Sequence, residues 1–358
     1  MPLPSFQPSC FPRLHITTAF CIHLWSVLID NVFIRPICTF GIHTFPHAVL
    51  SLKKRPAGSS QALKGGASRE IGVIVPSITN PFYAQLVSAV EIECLKRGFT
   101  PIICSSQNSA ELEKKHLENF ERKLVEGVLL SSVHLSEHLI ELLENSVQNF
   151  VLFDQTSPNY RGDCVGFDFF SGGYMATKYL LDCGHRDIAF VCGPIDRPSR
   201  NQYFEGYRKA LKEAGVRLNN RRILLYNDNE QVTDVGMEGN LFWGRVLGEA
   251  LLESDYLPDA LVAINDMIAI SVMKYLQSEG VYVPRDISVI GFDNISVSSV
   301  VSPALTTVAQ SAVETGRLAS RILLDRLEGK PVEENHIILT PQLVERESVR
   351  RLHKKLKR

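Results

Sequence analysis

The stretch IGVIVPSITNPFY, Ile71 to Tyr83, decides the fold. Ile71 to Val75 is an uncharged, mostly β-branched run bounded by Glu70 and Pro76, the pattern of a strand buried on both faces. A loop of Pro, Ser, Thr and Asn follows. From Pro81 the apolar residues Phe82, Leu86, Val90 and Leu95 recur at roughly helical spacing until Gly98 stops them, and a second apolar run, Phe99 to Cys104, begins at once. Strand, helix and strand in this order make a right-handed βαβ unit, whose first loop opens on a ligand crevice at the carboxyl ends of the strands.

The rest of the chain repeats this unit. Strands are expected near Ile71–Val75, Phe99–Cys104, Gly127–Ser131, Phe150–Asp154 and Cys164–Phe167, with helices near 81–97, 109–124 and 135–146. A second set has strands near Ile188–Cys192, Arg222–Tyr226, Ala260–Ile264 and Ile287–Gly291, with helices near 171–183, 199–214, 237–253 and 266–279. A late helix, Val313–Leu327, and strands near His336–Leu339 and Leu343–Glu345 return to the lobes. The expected fold class is α/β: two doubly wound parallel-sheet lobes with a ligand cleft between them. Residues 70–168 plus 300–332 are assigned to the first lobe, and 169–299 plus 333–349 to the second. Residues 51–69 read as a linker with a short helix, and 350–358 as a basic, solvated tail.

At 358 residues there is room for two domains, and a formal net charge of −1 gives no general attraction to nucleic acid or membrane. The eight cysteines include no CxxC pair and no zinc spacing with histidine, so neither a metal site, a disulfide framework nor a cofactor is expected, and a reducing cytoplasm is the default. Residues 1–50 differ in composition: one acid (Asp30), two strong bases (Arg13 and Arg35), three of the eight cysteines and four of the ten histidines. Ile16–Ile29 is apolar enough for a signal-peptide core. However, His15, His23 and Asp30 interrupt or flank it, and both a charged n-region and a small-residue cleavage site are missing. The preferred reading of 1–50 is a non-native or disordered leader.

The body of the chain holds no GxSxG elbow, no phosphate loop and no GxGxxG, which argues against an enzyme. What remains are polar residues just after strand ends: Asp154, Asn265, Asp266, Asp293 and Asn294. A carboxylate or carboxamide offers two in-plane hydrogen-bonding positions, suited to vicinal hydroxyls or a base edge. The competing role for each is a helix cap or turn, with Asp266 the best candidate for that role because a helix starts directly after it. Phe82, Tyr83 and Trp243 supply flat apolar faces for a ring, although Phe82 fits core packing equally well.

With these stretches the chain resembles the lactose-repressor (LacI/GalR) family of bacterial transcription regulators: RPAGSSQALKGG, IGVIVPSITNPFY, VLFDQ, YLLDCGHRDIAFVCGP, FEGYRKAL, LVAINDMIAI, VPRDISVIGFDN, PALTTVAQ and VERESV, in order from about Arg55 to Val349. The resemblance implies an effector-binding, homodimerising core of the type I periplasmic-binding-protein kind. It places Ser77, Phe82 and Tyr83 in a first-lobe loop, Asp154 on the lobe edge, Trp243 at a stacking position, Asn265 and Asp293 at hydroxyl-binding positions, and Gln310 on a returning strand. One departure is Tyr203, where the family usually has arginine; Arg197 and Arg200 lie nearby. A sugar-like effector is implied first and a purine second.

The resemblance further implies a hinge helix for operator DNA at Arg55, Ser60, Leu63 and Lys64, with Leu63 as the wedge between base steps. Residues 1–50 contain no helix-turn-helix pattern, so the chain as it stands is expected to bind DNA weakly, with strong salt dependence and little sequence preference. The alternative function is a periplasmic or membrane-tethered sugar-binding protein with 1–34 as its export segment. The hinge-like RPAGSSQALKGG favours the regulator.

Overall fold

The computed structural model describes residues 68–352, apart from 133–134, 137–138, 142, 144–148, 156–159, 194, 196, 227–236 and 255 and the side chains at 237, 238, 240 and 241. These residues belong to the unit Pro56–Arg358. The leader, the hinge residues Arg55, Ser60, Leu63 and Lys64, and the tail from 353 lie outside the described residues.

Every residue of β1 (Glu70–Val75) after the first is buried, so both faces need cover. It pairs in parallel with β2 (Thr100–Ser105) and β3 (Gly127–Leu130). The sheet continues through β4 (Phe150–Asp154), β5 (Cys164–Phe167) and β11 (His336–Leu339), in the order β11-β5-β4-β3-β1-β2. The loop after β1 ends in α1 (Pro81–Lys96), where the Asn80 side chain accepts from the Phe82 amide at 3.0 Å and Pro81 occupies a first-turn position that needs no N–H. Gly98 follows at φ +74°, a left-handed turn that glycine adopts without a Cβ clash. Helices α2 (Ala110–Lys123) and α7 (Ala312–Leu327) also cover this sheet, α7 lying against α1.

The second sheet contains β6 (Ile188–Cys192), β7 (Ile223–Leu225), β8 (Ala260–Ala263), β9 (Ser288–Asp293), β10 (Thr306–Ala309) and β12 (Gln342–Val344), in the order β12-β10-β9-β8-β6-β7. All pairs in it are parallel except β10 with β12. Its helices are α3 (Phe169–Asp182), α4 (Pro198–Glu213), α5 (Met237–Leu252) and α6 (Asp266–Ser278). Helices α3 and α4 touch backbone to backbone: a Cβ on Gly173 would land on the Tyr203 carbonyl, and one on Gly206 on the Phe170 carbonyl. That contact fixes Tyr203 in place.

The chain crosses between sheets at Asp168, at Gln310–Ser311 and at Thr340–Pro341, and here the expected partition needs correction. Within 300–332, only α7 packs on the first sheet; β10 belongs to the second. Within 333–349, β11 belongs to the first sheet and β12 to the second. The cause lies in side-chain partners. Thr307 donates to Asp266 of the second lobe at 2.6 Å, and Thr306 accepts from the Arg346 amide at 2.9 Å, so this polar strand is held from the second side.

Candidate functional site

The expected site residues lie at the carboxyl ends of strands in both sheets, and Asp154 of the first lobe is near enough to Asp293 of the second to influence it. From the first lobe, the Tyr83 hydroxyl donates to Asp154 Oδ2 at 2.9 Å, joined by the Ser131 hydroxyl at 3.2 Å and the Gln155 amide at 3.1 Å. All three donors share one oxygen; Asp154 Oδ1 is buried and has no partner. Ser77 is occupied locally, its hydroxyl paired with that of Thr79 at 2.9 Å. Phe82 is buried and meets the Tyr83 ring edge-on at 5.1 Å, so it holds Tyr83 in place from the core side.

From the second lobe, the Gln310 amide donates to Asp293 Oδ1 at 3.1 Å. Asp266 accepts from the Ile295 amide at 2.9 Å and from Thr307, so it pins the loop after β9 rather than capping a helix. The cap of α6 is Asn265, whose side chain accepts from the Ile268 amide at 2.8 Å. The competing cap role suggested for Asp266 therefore belongs to Asn265, and one of its two polar atoms is taken. Trp243 is 9% exposed and stacks on Tyr226 at 5.1 Å, with the Arg200 guanidinium 5.9 Å from the Tyr226 ring. The expected open indole face is thus partly covered by a neighbouring ring.

The lobes meet at these residues. Arg197, which precedes α4, donates to Asn108 Oδ1 of the first lobe at 3.1 Å. Asp154 and Asp293 are only 2% and 8% exposed. Burial pushes the Asp293 carboxyl well above the usual range, and the Asp266 and Asp154 charges push it the same way. Burial raises Asp154 against the three hydrogen bonds that lower it, and takes Asp266 to about 7. The phenol of Tyr83 is raised well above its ordinary value by burial and then by Asp154. Three non-glycine residues at strand ends adopt positive φ: Asp154 at +65°, Asp293 at +110° and Asn294 at +57°. Such backbone strain concentrates where a site is held in a set geometry.

The structure thus brings Tyr83 to Asp154 and Gln310 to Asp293, while Trp243 and Arg200 gather around Tyr226. Sequence reasoning missed Ser131, although it directly follows β3 while Asp154 closes β4, and the same strand-end rule would have found it. It noted Tyr203 only as a departure. The Tyr203 side chain is fully buried against Phe292 at 4.9 Å, its hydroxyl has no partner, and the charges of Asp266 and Asp293 raise its pKa after burial does. Among the described residues no cluster of three or more His, Cys, Asp or Glu could hold a metal. No helix among them is long and apolar enough to cross a membrane.

Two parallel α/β lobes, crossed three ways by the chain and closing on strand-end aspartates, define a type I periplasmic-binding-protein core. The periplasmic binding protein-like domain matches residues 177–349. The HTH-type transcriptional repressor PurR of Pasteurella multocida is 34% identical over 308 residues, covering 85% of this chain and 88% of that protein. Among solved structures, the transcription regulator CcpA of Lactococcus lactis is similar with a TM-score of 0.69 and 27% identity, over 78% of this chain and 99% of that one. A LacI family transcriptional regulator from Enterococcus faecium with bound ribose gives 0.67 and 29%, over 79% and 100%. The chain belongs to the lactose-repressor (LacI/GalR) family of transcription regulators.

Proposed function

We propose that this chain is a ligand-responsive transcriptional repressor that takes a small sugar-like effector between its lobes, at Asp154, Asp293 and the residues around them. The observation that carries the reading is Asp154 Oδ1, a buried acceptor with no donor at the meeting point of the two lobes. A buried oxygen left unpaired costs about 1–3 kcal/mol, and a ligand hydroxyl would remove that cost. Ribose in the Enterococcus neighbour supports a sugar in this class of crevice. The ligand binds the closed arrangement better than the open one and so shifts the lobes, and the lobes set the affinity for operator DNA. Operator DNA and a second copy of the chain are the proposed partners, with the hinge around Arg55 and Leu63 as the DNA contact and the cytoplasm as the site of action. The role is binding and not catalysis.

Calorimetric titration of the full chain with ribose, galactose and cellobiose tests this. Binding of one of them that Asp293→Asn abolishes is the expected result; binding that Asp293→Asn leaves untouched would put the ligand elsewhere. Asparagine is preferred to alanine here because it keeps a carbonyl for the Gln310 donor and tolerates positive φ better.

A further inference from the structure

The loop that leaves β9 is held by a residue far along the chain. Asp293 closes β9 and Asn294 follows it, both at positive φ, +110° and +57°. Two consecutive non-glycine residues keep such angles only where their surroundings impose them. One hold is Asp266, which accepts from the Ile295 amide at 2.9 Å. A second comes from Arg346, on the segment after β12. Its guanidinium donates to Asn294 Oδ1 at 2.6 Å, to the Leu305 carbonyl at 2.7 Å and to Ser298 Oγ at 3.2 Å. Those three acceptors span the loop from β9 to β10. A guanidinium is a rigid planar fork, so bonds to several parts of one loop fix its position in a way that a flexible ammonium does not reproduce.

The same residue is tied to β10. The Arg346 backbone N–H donates to Thr306 Oγ1 at 2.9 Å. Two residues on, Ser348 Oγ accepts from the Thr306 amide at 2.8 Å and donates to the Val289 carbonyl of β9 at 2.6 Å. β10 ends at Ala309, and Gln310 directly after it donates to Asp293. Arg346 is therefore bonded to the chain on both sides of the Asp293–Gln310 pair. Its charge also acts on the buried Asp266 carboxylate, opposing the burial that raises it. Asp266 in turn lies hard against β9, since a Cβ on Gly291 would land on Asp266 Oδ1. One cation and one buried acid thus brace the loop from two directions.

We propose that Arg346 is a positioning residue for effector binding: it holds the loop after β9 so that Asp293 and Gln310 meet a ligand in one fixed geometry, and it acts through Asn294, Ser298 and β10 rather than by touching the ligand. The proposal rests on the effector reading above and adds to it a residue from the C-terminal segment. A loop released from Arg346 weakens binding because the ligand must then also order it.

The test compares the full chain with Arg346→Lys, Asn294→Gly and the double variant. Lysine keeps the charge and the backbone N–H but not the fork; glycine removes the Oδ1 acceptor and takes positive φ without strain. Calorimetry with ribose, galactose and cellobiose is run at a temperature where melting curves show every variant folded. Each single variant should bind the sugar about tenfold more weakly, and the double variant no more weakly than the weaker single, because both changes remove the same contact. A residue that only stabilises the fold would shift the melting temperature and leave these constants unchanged; that result would overturn the proposal, as would full additivity of the two singles. Hydrogen exchange of the free chain gives a reading that needs no ligand: the Asn294 and Ile295 amides should exchange at least about tenfold faster in Arg346→Lys. Unchanged exchange would overturn the brace whatever binds. Faster exchange with no sugar bound would support the brace and overturn the sugar-effector reading instead, so the two fail separately.

Discussion

Asp154→Asn separates what the crevice does for the fold from what it does for a ligand. In the wild type three donors converge on Oδ2, and Oδ1 faces none. An asparagine with its carbonyl at the Oδ2 position keeps all three bonds and puts an NH2 where Oδ1 was. The buried charge disappears, and with it much of a desolvation cost of about 1–3 kcal/mol. The unliganded chain should therefore melt higher by about 2–4 °C for each kcal/mol recovered. Ligand binding should move the other way: a charge-assisted hydrogen bond of about 1.5–3 kcal/mol is lost, so affinity falls about ten- to a hundredfold. Thermal melts of the free chain and calorimetry with whichever sugar binds read the two effects separately. A variant that melts lower and binds as well as the wild type would refute the reasoning, because it would make Asp154 a stabilising residue with no ligand to serve.

The pH dependence of stability follows from the same carboxyls. Folding raises the pKa of Asp154 and Asp293 from 3.8, takes Asp266 from 3.8 to about 7, and takes Glu113 from 4.5 to about 7. The folded state binds these protons more tightly, so their contribution is complete below the unfolded values and is lost as pH rises through the folded ones. Melting temperature of the free chain should fall between pH 5 and about 8, and Asp266→Asn should flatten that slope; a rising profile would contradict the burial argument. Arg197→Ala removes the 3.1 Å link to Asn108 across the lobes and should raise the dissociation rate of a bound sugar several-fold in stopped-flow measurements; an unchanged rate would mean the link does not hold the lobes closed. Gly173→Ala should destabilise the second lobe by about 1–3 kcal/mol in urea, since its Cβ meets the Tyr203 carbonyl; a neutral result would mean that α3 and α4 can separate freely. Trp243 fluorescence in a Trp25→Phe chain should shift when a sugar binds, because the Trp243–Tyr226 stack lies beside Arg200; stabilisation by a sugar with unchanged emission would separate this stack from the crevice.

The buried parallel strands were legible because short apolar runs bounded by polar or turn residues leave few alternatives: Ile71–Val75, Ile188–Cys192 and Phe150–Phe153 all carry the pattern through to the structure. The crossing strands were not. Thr306–Ala309 is buried yet polar, and hydropathy cannot tell that its threonines find Asp266 and Arg346 in the second lobe. His336–Leu339 alternates exposure along the sheet edge, so it fits either lobe until its pairing with β5 is seen. At the crevice, position after a strand identified Asp154 and Asp293 as polar groups at the lobe junction. It could not show that Asn265 caps α6 while Asp266 is an internal pin, because the two are adjacent and differ only in which way the side chain turns.

Several departures from ordinary folding preference sit at the strand ends of the two lobes. Asp154 and Asp293 take backbone angles that most residues avoid, their carboxyls are buried with pKa values raised, and unpaired polar atoms of Asp154 and Tyr203 come from opposite lobes. Each of these costs free energy in the free chain, and under the proposed function a ligand bonded to both lobes relieves several of them together. On that proposal, relief that depends on both lobes is available only when they are close, so ligand affinity would differ between open and closed arrangements. A binding protein with the same crevice fully satisfied would gain nothing by closing, and a ligand touching one lobe alone would shift no equilibrium between arrangements. In the proposed reading, a ligand that satisfies polar groups on both lobes at once is what couples binding to closure.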